Sequence, residues 1–455
     1  MTRPAAGREA PAPTGGRRGG TGSGSPSRIL VINSGSSSVK YRLFDGSRTL
    51  ARGIVERVGE PGGQASDHDD ALRQVMDRVD LTGLAAVGHR VVHGGSRFID
   101  PVVIDDTVVA EIERLAPLAP LHNPPNLAGI RATLRLLPHV PQVAVFDTAF
   151  HRTLPPAAAT YAIDAATARR YGIRRYGFHG ISHAYVARRT AALLGRPVTD
   201  VNVITLHLGN GASACAVAAG RSVETSMGLT PLQGLVMGTR SGDIDPAVTA
   251  HLHRSAGWSV EQVDDLLNHR SGLYGLAGVN DMRAVLAARD AGDPDAALAF
   301  DVYCHRIRCY VGAYYAVLGR VDAVTFTAGV GEHAAPVRQA ALAGLERLGI
   351  VVDPDRNTAD DDGERIISPD GAEVTVCVVP TDEEREIAAQ TRPPDAGPPG
   401  ASSSSPGRQL HRPLVPTRRR VQRPRREGRC ARPRGPTCPG RGRSAAKKLP
   451  EGSRG

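Results

Sequence analysis

Cysteine is scarce and scattered. The six thiols, at positions 215, 304, 309, 377, 430 and 438, form no C-x-x-C pair and no zinc spacing. A disulfide scaffold is therefore excluded, and a reducing cytoplasm is the expected compartment. No stretch approaches the roughly 18 consecutive apolar residues of a membrane span. The first 27 residues place Arg3, Arg8, Arg17 and Arg18 among Gly, Pro and Ser without an apolar segment, so they do not read as a secretory signal. Lysine is nearly missing as well. Lys40 is the single lysine between residues 28 and 391, where every other fixed cation is arginine.

The formal charge of +10 suggests a nucleic-acid partner until it is divided along the chain. Residues 392–455 carry +14 and residues 1–27 carry +3, leaving −7 on the stretch between them. The basic tail is Arg, Pro, Gly and Ser without hydrophobic period, and no aromatics interleave its arginines. It reads as a disordered, solvated extension rather than a nucleic-acid arm, and residues 1–27 read likewise.

At 455 residues and 41 % hydrophobic, the chain is long enough for two ordinary domains. Two short β runs flank the serine turn of "ILVINSGSSSVKYRLFDG" (29–46), and "LAAVGHRVVHGG" (84–95) is a strand ending in a glycine loop. The segment 102–137 predicts a helix, a proline-broken loop at 120–125 and a second helix. "QVAVFDTAFH" (142–151) is a buried strand ending at Asp147, and a helix begins near Ile181. The alternation continues to a terminal helix in "CVVPTDEEREIAAQ", which argues for an α/β class with layered sheets. "VNVITLHLGNGASACAV" (201–217) echoes the opening hairpin some 174 positions later. Two such hairpins predict a duplicated fold with a cleft between its halves. The expected domains are 28–176, joined by a helix at about 381–391, and 177–380.

A turn rich in Ser and Gly presents successive backbone N–H groups to an anion. The pattern is neither a Walker loop nor a dinucleotide fingerprint: the return from "GSSSVKY" is a strand, and G-x-G-x-x-G is missing. Lys40, a flexible point charge beside the serine turn, suits a phosphate oxygen; an exposed strand cation is the plain alternative. Arg90 and Arg240 stand in Gly-rich loops, which suits carboxylate or phosphoryl groups as well as solvent. Asp147 can be a catalytic carboxylate or a helix cap. His179 and His183 are four apart, but no Glu follows the first, so zinc is disfavoured. Glu383 and Glu384 open a helix, where they either complement its dipole or bind Mg²⁺.

Eleven stretches in order, from "NSGSSSVKY" through "GHRVVHGG", "LHNPPNLAGI", "VFDTAFH", "YGFHGISH", "HLGNGAS", "SMGLTPLQGLVMGTRSGDIDP", "GLAGVNDMR", "GAYYA" and "GVGEH" to "PTDEE", resemble the acetate kinase family of the acetate and sugar kinase/Hsp70/actin superfamily. The resemblance runs from about Arg28 to Gln390. It implies two duplicated ribonuclease H-like domains, a homodimer, and Mg²⁺-dependent phosphoryl transfer from ATP to acetate, with Mn²⁺ as an alternative metal. A propionate or butyrate kinase, or a superfamily chaperone or filament ATPase, are the competing readings.

Carried over by motif, Asn33 and Glu383 fall at the metal positions and Lys40 at the phosphate. Arg90 falls at the substrate carboxylate, Asp147 at the catalytic aspartate, and His179 and Arg240 at the transferring phosphoryl group. Val92, Leu121, Phe178 and Pro231 fall around the acetate methyl. The nucleotide stretches are His207, Leu208, Gly209, Asn210 and Gly211; Asp281, Met282 and Arg283; and Gly329, Val330, Gly331, Glu332 and His333. Three positions depart from the family pattern: His333 replaces a usual Asn, Gln233 a Glu and Glu224 an Asp.

Overall fold

Two six-stranded sheets carry the chain, and their strands connect in the same order. A computed structural model describes residues 27–392; the expectations for the two ends lie outside the described residues. In the first sheet, β1 (Arg28–Ser34), β2 (Ser38–Asp45) and β3 (Arg48–Glu56) form an antiparallel meander. β4 (Leu84–Val91) then pairs parallel with β1, β6 (Gln142–Phe146) parallel with β4, and the short β5 (Val102–Val103) closes the edge antiparallel.

The second sheet repeats this plan with β7 (Asn202–Leu208), β8 (Ala212–Ala218), β9 (Arg221–Thr225), β10 (Ala323–Thr327), β11 (Arg365–Ile366) and β12 (Thr375–Val378). The orders are β3-β2-β1-β4-β6-β5 and β9-β8-β7-β10-β12-β11. The expected α/β duplication is present.

Burial follows strand position. β1 and β6 lie inside the sheet, which is covered on both faces, and each carries an apolar run, Ile29–Ile32 and Val143–Phe146. β3 lies at an edge, and most of its side chains are partly or fully exposed. One face of the first sheet is covered by helices His68–Arg78 and Asn123–Leu136, through Leu72, Val75 and Ala132. The other is covered by the terminal helix Glu383–Thr391, whose Ile387 and Ala388 pack on Ile29, Val31, Val143 and Val145. The helix Pro294–Leu318 covers the second sheet with Tyr303, Ile307 and Val311.

One helix serves both sheets. Gly180–Leu193 contributes Ile181 to the first sheet's core and Ala187 and Ala191 to the second's. Its first turn therefore stands where the halves meet.

The proline-rich stretch differs from expectation. A helix begins already at Asn123, with Pro124 and Pro125 in its first turn, where a missing N–H costs nothing. Among the described residues, no helix is long and apolar enough to cross a membrane.

Candidate active site

The parallel strands β1, β4 and β6 end side by side, which brings Asn33, Arg90 and Asp147 to one edge of the sheet. Crevices beyond the carboxyl ends of such strands are where α/β folds bind ligands. Asp147 lies one residue past β6, its N–H donating to the Val91 carbonyl at 3.0 Å. Its carboxylate is buried and accepts from Arg90 twice, Nη2 to Oδ2 at 2.5 Å and Nε to Oδ1 at 3.3 Å. The Arg90 Nε also lies 3.6 Å from Glu383 Oε2, at the start of the terminal helix. Burial raises the Asp147 pKa to about 6, with Arg90 opposing and Glu383 adding to the rise. Arg90 is held charged because Asp147 and Glu383 together outweigh its burial.

Two asparagines that the sequence pattern does not single out fix these strand ends. Asn126 accepts from the Val92 N–H at 3.0 Å and donates to the Ser34 carbonyl at 2.6 Å, tying the end of β4 to that of β1. Asn123 makes both amide bonds to the His93 backbone at 3.0 Å. "LHNPPN" was the available signal. Just before them, His122 is held neutral by burial and by the charges of Arg240 and Arg90, its pKa near 4.

His179 precedes the helix shared by both sheets, in a left-handed conformation with φ 56°. Gly180 follows because its N–H bonds the Asp147 carbonyl at 3.0 Å, and a Cβ there would sit 2.0 Å from that oxygen. The His179 ring stacks on His207, centroids 4.2 Å apart, and its Nδ1 is 2.9 Å from Ser213 Oγ. Burial first, then the neighbouring histidines and arginines, keeps it neutral. His183 is buried with both ring nitrogens on hydroxyls, Thr205 and Ser213. His183 has no ring nitrogen free for zinc, and no three or more His, Cys, Asp or Glu side chains cluster as a metal site among the described residues.

Arg240 reaches toward this pair from the second half. Its Nη1 donates to the Pro231 carbonyl at 2.6 Å, and no carboxylate pairs with it among the described residues. Gly211 separates it from His179: a Cβ there would lie 2.8 Å from Arg240 Nη2 and 3.5 Å from His179 Nε2. A largely buried guanidinium lacking a counter-ion is a site for an anion.

The three nucleotide stretches converge. Gly209, Asn210, Asp281, Met282, Arg283, Gly329, Val330 and His333 line one cavity of about 590 Å³. Leu273, Asn280, Leu286, Ala334 and Pro336 complete it and were not anticipated. Other residues of those stretches hold the walls. Leu208 is core and His207 lies beneath His179. Gly331 accepts from Arg338, and Glu332 accepts from the N–H groups of Ala328 and Thr381 at 2.7 and 3.1 Å. Lys40 is exposed on β2 directly opposite Asn33. Val92 and Phe178 share one buried cluster, whereas Leu121 is 57 % exposed.

Among the departures, Gln233 accepts from Tyr161 at 2.7 Å, Glu224 lies 3.6 Å from Arg175, and His333 faces the cavity.

The donor set suits a magnesium ion. Asp147 and Glu383 share the single cation Arg90, so carboxylate charge remains uncompensated beside Asn33's strand end. Mg²⁺ binds through one or two carboxylates and otherwise keeps waters and substrate phosphates.

Comparison with known proteins agrees with this geometry. The Acetokinase family matches residues 28–389. The chain is 61 % identical over 393 residues to an acetate kinase of Streptomyces avermitilis, covering 81 % of this chain and 97 % of the relative. It is 56 % identical over 388 residues to that of Leifsonia xyli, covering 80 % and 98 %. Among solved structures it is similar to Porphyromonas gingivalis acetate kinase (TM-score 0.76, 41 % identity, 80 % and 98 % covered). A propionate kinase of Francisella tularensis is equally similar (TM-score 0.76, 40 % identity, 80 % and 99 % covered). With strand order, strand-end residues and sequence in agreement, the chain belongs to the acetokinase family.

Proposed function

We propose that this protein is an acetate kinase, transferring the γ-phosphoryl group of ATP to acetate to give acetyl phosphate and ADP, reversibly. The observation that carries the reading is the Arg240 guanidinium, without a carboxylate partner among the described residues, beside neutral His179, with Arg90 and its carboxylates at the neighbouring strand ends. The nucleotide is assigned to the 590 Å³ cavity. Its phosphates extend toward Lys40 and Arg240, and the acetate methyl toward Val92 and Phe178.

Acetate is already an anion at neutral pH, so its attack needs no strong general base. A carboxylate oxygen bonds to the γ-phosphorus as the bond to the β-phosphate oxygen breaks, and the electron pair leaves with ADP. The obstacle is repulsion between two anions. Arg90 holds the acceptor carboxylate, while Arg240 and the His179 N–H meet the equatorial oxygens of the transferring group. Asp147 is itself ionised at neutral pH and bonded to Arg90, so it aligns that guanidinium rather than removing a proton. Mg²⁺ near Asn33 and Glu383, bound through water or directly, would neutralise phosphate charge. A cytoplasmic homodimer is the proposed working form.

Hydroxamate trapping with ATP, Mg²⁺ and either acetate, propionate or butyrate tests this. Acetyl hydroxamate should form with the highest kcat/KM. Preference for propionate would move the assignment to the Francisella-like activity, and no acyl phosphate from any acid would refute it.

A further inference from the structure

Behind His179 lies a file of hydroxyls and imidazoles that the reaction does not touch. Thr205 Oγ1 is 2.7 Å from His183 Nδ1, His183 Nε2 is 2.8 Å from Ser213 Oγ, and Ser213 Oγ is 2.9 Å from His179 Nδ1. Thr205, His183 and Ser213 are fully buried. None of the four has a carboxylate partner among the described residues, so each ring carries one proton and each hydroxyl one.

Such a file has two self-consistent directions. Running outward, Thr205 donates to His183, His183 to Ser213, and Ser213 to His179 Nδ1, leaving the His179 proton on Nε2. Running inward, every donor reverses and His179 Nε2 becomes a lone pair. In the inward order Thr205 accepts at the 2.7 Å contact instead of donating, and its own hydroxyl proton is left only the Cys215 carbonyl at 3.4 Å, a poor bond. The outward order lacks that defect.

We propose that Thr205, His183 and Ser213 are positioning residues that hold His179 as the Nε2–H tautomer, so that it meets the phosphoryl oxygens as a neutral donor. The role at the phosphoryl group rests on the kinase reading above; the tautomer does not. An imidazole held this way needs no proton from solvent to act as a donor, and its left-handed backbone and the His207 stack fix its direction.

The test is ¹⁵N imidazole NMR on the full chain labelled at histidine, with the His179 signal identified by its loss in His179→Gln. The expected wild-type pattern is Nε2–H for both His179 and His183. Ser213→Ala removes the donor to Nδ1, so the His179 signal should shift toward a mixture of tautomers. Its kcat should fall about ten- to a hundredfold, the usual cost of losing a partner that orients a functional histidine. KM for acetate and ATP should stay within about twofold. Ser213→Thr should restore the wild-type tautomer. Thr205→Val, nearly isosteric, should act in the same direction more weakly and decides the matter if Ser213→Ala does not fold. An Nδ1–H or doubly protonated His179 in the wild type overturns the proposal, as does an unchanged kcat in a folded Ser213→Ala. Were the wild type to make no acyl phosphate, the kinase reading would fall while the spectrum still reported the tautomer.

Discussion

Arg90 and Asp147 face each other across the ends of two adjacent parallel strands, Nη2 to Oδ2 at 2.5 Å, and the carboxylate is almost sealed from solvent. One guanidinium thus compensates a buried charge, and in the proposed function it also holds the acceptor carboxylate. Arg90→Ala should raise the acetate KM by about one to two decades, the loss of a charge-assisted bond to a carboxylate. It should also cost about 3–5 kcal/mol of stability, because Asp147 is left buried and unpaired. Adding Asp147→Asn should recover most of that stability and none of the activity. Chemical denaturation of the three variants, alongside kinetics with acetate varied, checks both parts; full retention of stability in Arg90→Ala would mean the pair is not formed.

The raised Asp147 pKa sets an acid limb. Burial brings it to about 6 from 3.8, so the folded chain holds this proton where the unfolded chain has lost it. The group's contribution to stability is therefore fullest below pH 3.8 and declines as pH rises through about 6. Activity runs the other way, because a protonated Asp147 releases its ionic hold on Arg90. The kcat/KM for acetate should fall below about pH 6. Asp147→Asn should be weakly active without that limb. A pH–rate profile with an unchanged limb in Asp147→Asn would assign it to another group.

Several residues of the candidate site stand out in the sequence because Gly-, Ser- and Arg-rich loops are conspicuous, and the structure gathers many of them at the same strand ends and cavity. Lys40 stands out as a lone lysine, and the repeated hairpins make the duplication seen in the two strand orders legible in the sequence. What escaped was the framing. Asn123 and Asn126 bind backbone, and nothing in their spacing distinguishes that from a loop; the two prolines beside them, read as a break, begin a helix. Leu208 fell inside a glycine-rich stretch, yet strand pairing turns its side chain into the core. His183 suggested a metal face only because the chain alone does not show that Thr205 and Ser213 flank it. Partners distant in sequence are set by packing, and local pattern carries little of it.

Lys40 is exposed on β2 with its strand neighbour Asn33 opposite, so its removal disturbs no packing. Lys40→Ala should leave the thermal midpoint within about a degree or two, since exposed substitutions rarely exceed ~0.5 kcal/mol. The ATP KM or turnover should worsen by about tenfold, with Lys40→Arg intermediate. Unaltered ATP kinetics would return the serine hairpin to an ordinary turn.

Arg240 and Gly211 give the sharpest separation of phosphoryl from substrate binding. The guanidinium is anchored at one end by the Pro231 carbonyl and has no carboxylate partner among the described residues, so its other face is available to charge that develops in the reaction. Arg240→Ala should lower kcat by about two to three decades while changing either KM little, the signature of an interaction made mainly in the transition state. Lysine should recover only part, lacking the planar fork. Gly211→Ala tests the same geometry without touching the charge. Its methyl would arrive 2.8 Å from Arg240 Nη2, so the guanidinium must shift, while the His179 ring at 3.5 Å need not. The backbone at Gly211 is not in the left-handed region, so the fold should survive. A fall of about tenfold in kcat with an unchanged thermal midpoint is expected. Equal, mild losses in Arg240→Ala and Arg90→Ala would mean that neither arginine serves the reaction.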